Sequence, residues 1–163
     1  MNPSVVSALS GIRRKRAAMA VGVCVAAAVL VASAAASTSP TARACPSASS
    51  VKKVLKVPTG APVVTKTQYS KTCTYPGGGV GSTKITFQVD TAKSFAASEK
   101  AAGSFGAKIS KVKHLGLAAW TTGLGSVYVF DGHETISILA LAVELRYPKT
   151  ATAMVEALAH KLV

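Results

Sequence analysis

Four adjacent cations, Arg13-Arg14-Lys15-Arg16, stand directly before a stretch from Ala17 to Ala36 that carries no charge. Ala, Val, Met, Leu and Cys dominate that stretch, and Ala34-Ala35-Ala36 precede Ser37. A cationic n-region, an apolar h-region and an Ala-x-Ala-like end are the parts of a secretory signal peptide. The arginines stay on the cytoplasmic side while the apolar run partitions into the bilayer. Residues 1–36 are therefore expected either to be cleaved after Ala36 or to remain as an N-terminal membrane anchor through residues 17–36. The second outcome stays open because the run reaches the about 20 residues that span hydrocarbon. A buried core helix rarely begins with four cations and ends in a Ser/Thr/Pro tract. Arg13-Arg14 is followed by Lys15-Arg16-Ala17, a poor twin-arginine match. Ala42-Arg43-Ala44 before Cys45 puts a cation where a lipobox takes a small apolar or hydroxyl residue, and Val23 before Cys24 is too large. Lipidation is not expected. The rest of the chain is expected to be secreted or envelope-associated, outside the cytoplasm.

That address decides what the cysteines do. Cys24 belongs to the targeting segment, which leaves Cys45 and Cys73, 28 residues apart. Two thiols in an oxidising compartment most simply form one bridge. Closing such a loop stabilises a fold by about 3–4 kcal/mol in the chain-entropy model. A redox pair would want Cys-x-x-Cys, and zinc would want further ligands at short spacings. Neither pattern is present.

The length of 163 residues sets a prior of one domain. Residues 37–44 have no periodicity and read as a flexible tether, so the domain is expected over 45–163. Ser47 reads as an N-cap, with Val51, Val54 and Leu55 on one helix face, Lys52, Lys53 and Lys56 on the other, and Pro58-Thr59-Gly60 as the stop. From Thr67 to Tyr75 the period changes to two, with Tyr69, Cys73 and Tyr75 on one face. Pro76 to Gly81 reads as a glycine-rich turn into a second strand marked by Ile85, Phe87 and Val89. Asp90 or Thr91 caps a helix over Ala92–Ala102 that carries Phe95 and is closed by Gly103. A short strand is expected around Ala118–Thr122, carrying Trp120. Asp131-Gly132 signals a two-residue hairpin between strands Val127–Phe130 and His133–Leu141. After Pro148, residues Ala151, Met154, Val155, Leu158 and Leu162 recur at helical spacing. The fold class is α+β. It is expected to be an antiparallel sheet of about four to five strands, with amphipathic helices, including the C-terminal one, on one face.

Cys45-Pro46, the Cys73-Thr74-Tyr75 strand, the segment Leu115-Gly116-Leu117-Ala118-Ala119-Trp120 and the closing Ala-rich helix form one series. In this the chain resembles the small uncharacterised envelope proteins and lipoproteins of actinobacteria, over roughly residues 45–163. It departs from them at Leu117, where many carry an acid, and in lacking a lipobox. The resemblance implies an extracytoplasmic binding or sensory module and carries no catalytic residues across.

No catalytic set emerges from the letters. In Gly77-Gly78-Gly79-Val80-Gly81-Ser82-Thr83-Lys84 the lysine follows the hydroxyls and a strand follows the lysine, so a phosphate-binding loop is not expected. His133-Glu134 lacks the second histidine of H-E-x-x-H, because position 137 is Ser. His114, His133 and His160 are too scattered for a metal site. Gly123-Leu124-Gly125-Ser126-Val127 only superficially resembles a nucleophile elbow, and the six acids form no pair for acid–base work. No metal or cofactor is expected, and the protein is expected not to be an enzyme. An unfamiliar hydrolase would need converging polar groups around His114 or His133.

Charge is the remaining clue. The chain carries 19 Lys and Arg against six Asp and Glu, a net charge of +13, and cleavage after Ala36 would remove four of those cations. Beyond Ala36 only Arg43 and Arg146 are arginines. Nucleic-acid sites favour Arg and exposed aromatics, so nucleic acid is not expected as a partner. An exported lysine-rich surface fits anionic lipid headgroups or wall polymers instead. Lys108, Lys111 and Lys113 are the densest group and the candidate contact. The reading is a non-catalytic binding module of the cell envelope. A secreted sensor or inhibitor domain with an envelope protein as partner is the alternative.

Overall fold

The structure is a computed structural model that describes residues 43–77 and 81–163. The expected targeting segment, and the expected tether up to residue 42, lie outside the described residues. No helix among the described residues is long and apolar enough to cross a membrane.

The first helix, α1 (Ala48–Leu55), begins where the sequence places it. The Ser47 hydroxyl accepts from the Ser50 N–H at 3.2 Å, satisfying one of the orphan donors of the first turn. Lys56 ends it in the left-handed region at φ 53°, its N–H donating to the Lys52 carbonyl, and Pro58 prevents any continuation. Val51 and Leu55 are fully buried, while Lys52, Lys53 and Lys56 face outward.

Seven strands follow, not the four or five expected. They are β1 (Val63–Lys66), β2 (Ser70–Pro76), β3 (Ser82–Val89), β4 (Ser110–Lys111), β5 (Ala118–Thr121), β6 (Ser126–Phe130) and β7 (Glu134–Ala140). All pairings are antiparallel, in the order β1-β2-β3-β7-β6-β5-β4. The two edge strands account for the difference. All four residues of β1 are exposed, and β4 has two residues, so neither shows alternation. Tyr69 precedes β2 and is 62% exposed, in contrast to its expected inward position beside Cys73 and Tyr75.

Alternation then sorts the sheet into two faces. Cys73, Tyr75, Ile85, Phe87, Ile136, Ile138, Val127 and Val129 form one buried face. On it lie α1 and the C-terminal helix α4 (Ala151–Ala159), which contributes Ala151, Val155, Leu158 and Ala159. A six-residue helix, α3 (Leu141–Arg146), leaves β7 directly and adds Val143. The expected strand His133–Leu141 thus ends one residue early.

The helices do not share a face. Helix α2 (Ala92–Ser104), capped by the Thr91 hydroxyl accepting from Ser94 N–H, sits on the opposite side. Its Phe95 packs on Trp120 and Phe130, with ring centroids 6.3 and 5.7 Å apart. The cause lies in β5 and β6, which are apolar on both sides. Ala119, Val127 and Val129 feed the main core, and Trp120, Tyr128 and Phe130 feed the second. A strand covered on both faces reads as a continuous apolar run, as Val127-Tyr128-Val129-Phe130 does.

The β6–β7 hairpin turns one residue later than Asp131-Gly132 suggests. Phe130 pairs with Thr135 and the Asp131 N–H donates to the Glu134 carbonyl, so Gly132 and His133 form the tip. Gly132, at φ 114°, takes the first tip position, where glycine is favoured. Asp131 instead organises the turn, its Oδ1 accepting from the N–H groups of His133 and Glu134.

Candidate functional site

Two bonds fix the segment that enters α1. The disulfide joins Cys45 to Cys73 with Cα atoms 5.9 Å apart, and the Tyr75 hydroxyl donates to the Pro46 carbonyl at 2.7 Å. Both anchors stand on β2, at consecutive inward positions. The bridge expected from the count of cysteines is present.

With Ala44–Pro46 held there, a groove of about 450 Å³ forms between this segment, α1 and the end of α4. Pro46, Cys45, Leu158 and Leu162 give it an apolar floor, while Ser50, Lys53 and Lys161 supply polar groups. Neither lysine lies within ion-pair distance of an acid among the described residues. Two ammonium groups beside an apolar floor suit an anionic group that carries hydrocarbon.

Arg43, next in the chain to the groove-lining Ala44, pairs with two acids that do not line the groove. Its guanidinium bridges to Asp131 at 2.5 Å, pairs with the Glu134 carboxylate and donates to the Leu162 carbonyl. The Lys71 ammonium donates to the Arg43 carbonyl. This residue, expected in the tether, thereby ties the start of the domain to the β6–β7 hairpin and to the chain end. It occupies two of the six acids and orients Leu162 at the groove. Burial pushes the Glu134 carboxyl above its ordinary range; Arg43 opposes that rise, Asp131 adds to it, and His133 and Lys71 oppose it.

The lysines singled out in the sequence lie elsewhere. Lys111 is on β4, and its ammonium is held by Glu99 of α2 at 2.6 Å. Lys108 and Lys113 flank β4 and are exposed. None of the three lines the groove.

His114, His133 and His160 are exposed at separate places, and none lines the groove. Among the described residues no three His, Cys, Asp or Glu cluster as metal ligands would. Lys84 lies within β3, so no helix N-terminus follows the glycine-rich loop. Ser126 begins β6 and is not at a strand-to-helix turn.

Lys53 and Lys161 are far apart in the chain, and nothing in the sequence pairs them. The available signal is partial: Lys53 stands on the polar face of a capped helix, and Lys161 follows the last apolar positions of another. No family model, curated protein or solved structure matches this chain.

Proposed function

We propose that this chain is a non-catalytic, extracytoplasmic binding module of the cell envelope that takes an anionic amphiphile in the α1–α4 groove. The observation that carries the reading is the pair Lys53 and Lys161, without acid partners, beside Leu158, Leu162 and Pro46. A headgroup phosphate would meet the two ammonium groups, and the adjoining hydrocarbon would cover the leucines. The excess of cations steers an anionic surface toward the protein, and salt weakens that attraction. The disulfide supports an oxidising compartment as the working address.

Co-sedimentation with phosphatidylglycerol vesicles, against phosphatidylcholine as control, tests it. Binding is expected to the anionic vesicles alone and to fade as salt rises. At about 1 kcal/mol per lysine near an anionic surface, the pair Lys53→Ala/Lys161→Ala should weaken it about thirtyfold. No association at low salt would remove the proposal.

One observation favours a second reading, a secreted sensor or inhibitor domain that docks on a protein. Leu141 and Leu145, four residues apart on α3, are 50% and 63% exposed, while Ala142 and Val143 between them are buried. A pull-down from the envelope fraction should then recover one stoichiometric protein partner, lost on Leu141→Asp/Leu145→Asp. Recovery of none would remove that reading.

A further inference from the structure

Helices α1 and α4 lie side by side on the main core and run in opposite directions. At the groove, Ser50 and Lys53 of α1 meet Leu158 of α4 and the Lys161 and Leu162 that follow it. At the other end the Tyr147 hydroxyl, shortly before α4, donates to the carbonyl of Lys56, the residue that ends α1. Cations follow this seam along its length. Lys53 and Lys161 stand at the groove, and Lys56 comes three positions after Lys53 on the same side of α1. The Arg146 guanidinium lies over the Tyr147 ring, 5.6 Å from its centroid, and Lys149 comes just before α4.

All five of these cations are exposed, and none has an acid within ion-pair distance among the described residues. α1 contains no acid, and Glu156 is the one acid of α4. A helix of eight residues is about 12 Å long. One headgroup held by Lys53 and Lys161 therefore leaves Lys56, Arg146 and Lys149 unanswered at the far end. A sheet of anionic headgroups answers both ends together. It also brings hydrocarbon to Leu158, Leu162 and Pro46 on the same side, which a wall polymer without lipid does not. A tyrosine ring beneath an arginine suits the headgroup level of a bilayer.

We propose that the α1–α4 layer is a membrane-docking face, which lies flat on an anionic phospholipid bilayer with the groove open to the headgroups. The proposal rests on the reading of the groove as an anionic-amphiphile site. To that reading it adds the bilayer as the source of the amphiphile, and Lys56, Arg146 and Lys149 as contacts outside the groove. Helix α2, on the opposite side of the sheet, faces away from the lipid. Each lysine near an anionic surface contributes about 1 kcal/mol, and the contribution fades within a Debye length, so all five must approach the lipid together.

Two probes of the disulfide-bonded chain test it: phosphatidylglycerol vesicles, and decyl phosphate kept monomeric, which reads the groove alone. Lys56→Gln/Lys149→Gln, both outside the groove, should weaken vesicle binding about thirtyfold. At physiological salt charges are screened within about 8 Å, so the same pair should leave decyl phosphate binding unchanged. Lys53→Ala/Lys161→Ala should weaken both. Amide hydrogen exchange of the unsubstituted chain should slow on vesicles in α1 and around Tyr147, and stay as it was in α2. Decyl phosphate binding without vesicle binding would overturn the docking face and leave the groove reading standing. Vesicle binding without decyl phosphate binding would remove the groove reading, and the proposal with it. Vesicle binding unaffected by the glutamine pair, or protection of α2 in place of α1, would overturn the docking face alone. Lipid-free anionic wall polymer that protects α1 equally well would assign the face to a polymer and overturn it too.

Discussion

The Tyr75 hydroxyl donates a 2.7 Å hydrogen bond to the carbonyl of Pro46, the residue directly after the cysteine bridged to Cys73. The segment entering α1 is thus held to β2 by a covalent bond and a polar bond at adjacent positions.

Tyr75→Phe is expected to cost about 1 kcal/mol at neutral pH, the usual net worth of such a bond. Burial pushes the Tyr75 phenol from 10.0 up to about 12. The folded chain therefore holds that proton more tightly than the unfolded chain does. The resulting stabilisation is complete below pH 10 and lost as pH rises toward 12. Urea titrations of both proteins should show their difference shrinking over that interval. A difference that stays constant would mean that the phenol does not titrate with unfolding.

Cys45→Ala/Cys73→Ala should lower stability by about 3–4 kcal/mol, because the loop released has 28 residues. The same change frees Ala44–Pro46 from one anchor and opens one wall of the groove. Denaturant midpoints measure the first effect, and vesicle binding by the still-folded variant measures the second. Unchanged binding would show that Tyr75 alone suffices to hold that wall.

Arg43 binds two carboxylates whose side chains are only 13% and 11% exposed. Arg43→Met leaves both charges without their guanidinium, at a cost of about 3 kcal/mol, the low end for breaking a buried pair. Adding Asp131→Asn and Glu134→Gln removes the stranded charges and should recover part of the loss. Thermal melts of the single and triple variants check this. A triple variant less stable than the single one would refute it.

Trp120 is the sole tryptophan and reports on the second core. Phe95→Ala removes the ring that α2 lays on it and should cost about 3–5 kcal/mol. Indole emission is expected to shift to the red in the folded variant as water reaches the ring. Unshifted emission would mean that α2 stays docked without its phenylalanine.

Much of this arrangement could be read from the letters. Ser47 and Thr91 cap the helices they announce, alternation marks β2 and β3, and the Asp131-Gly132 signal announces the β6–β7 hairpin. What escaped has identifiable causes. β1 is held by backbone pairing to β2 with every side chain exposed, so it carries no apolar period. α3 has no side-chain cap, and its Leu141 extends the alternation of β7 by one position before the chain turns. The face taken by α2 depends on which side of β5 and β6 stays uncovered, although the doubly apolar run Val127–Phe130 announces that both are filled. For the site, the disulfide followed from the count of thiols. The lysine pair did not, because a cation's lack of an acid partner is a property of the folded surface. Lys111 makes the same point in reverse, its charge being taken by Glu99.

Ala119 and Trp120 are neighbours in β5 that serve opposite cores, and Val129 and Phe130 repeat the arrangement in β6. Inserting or deleting one residue in either strand would send the indole into space shaped for a methyl group and leave Phe95 facing an alanine. Changes of length should therefore be tolerated in the loops and not in these two strands, which act as the ruler against which the rest of the molecule is aligned.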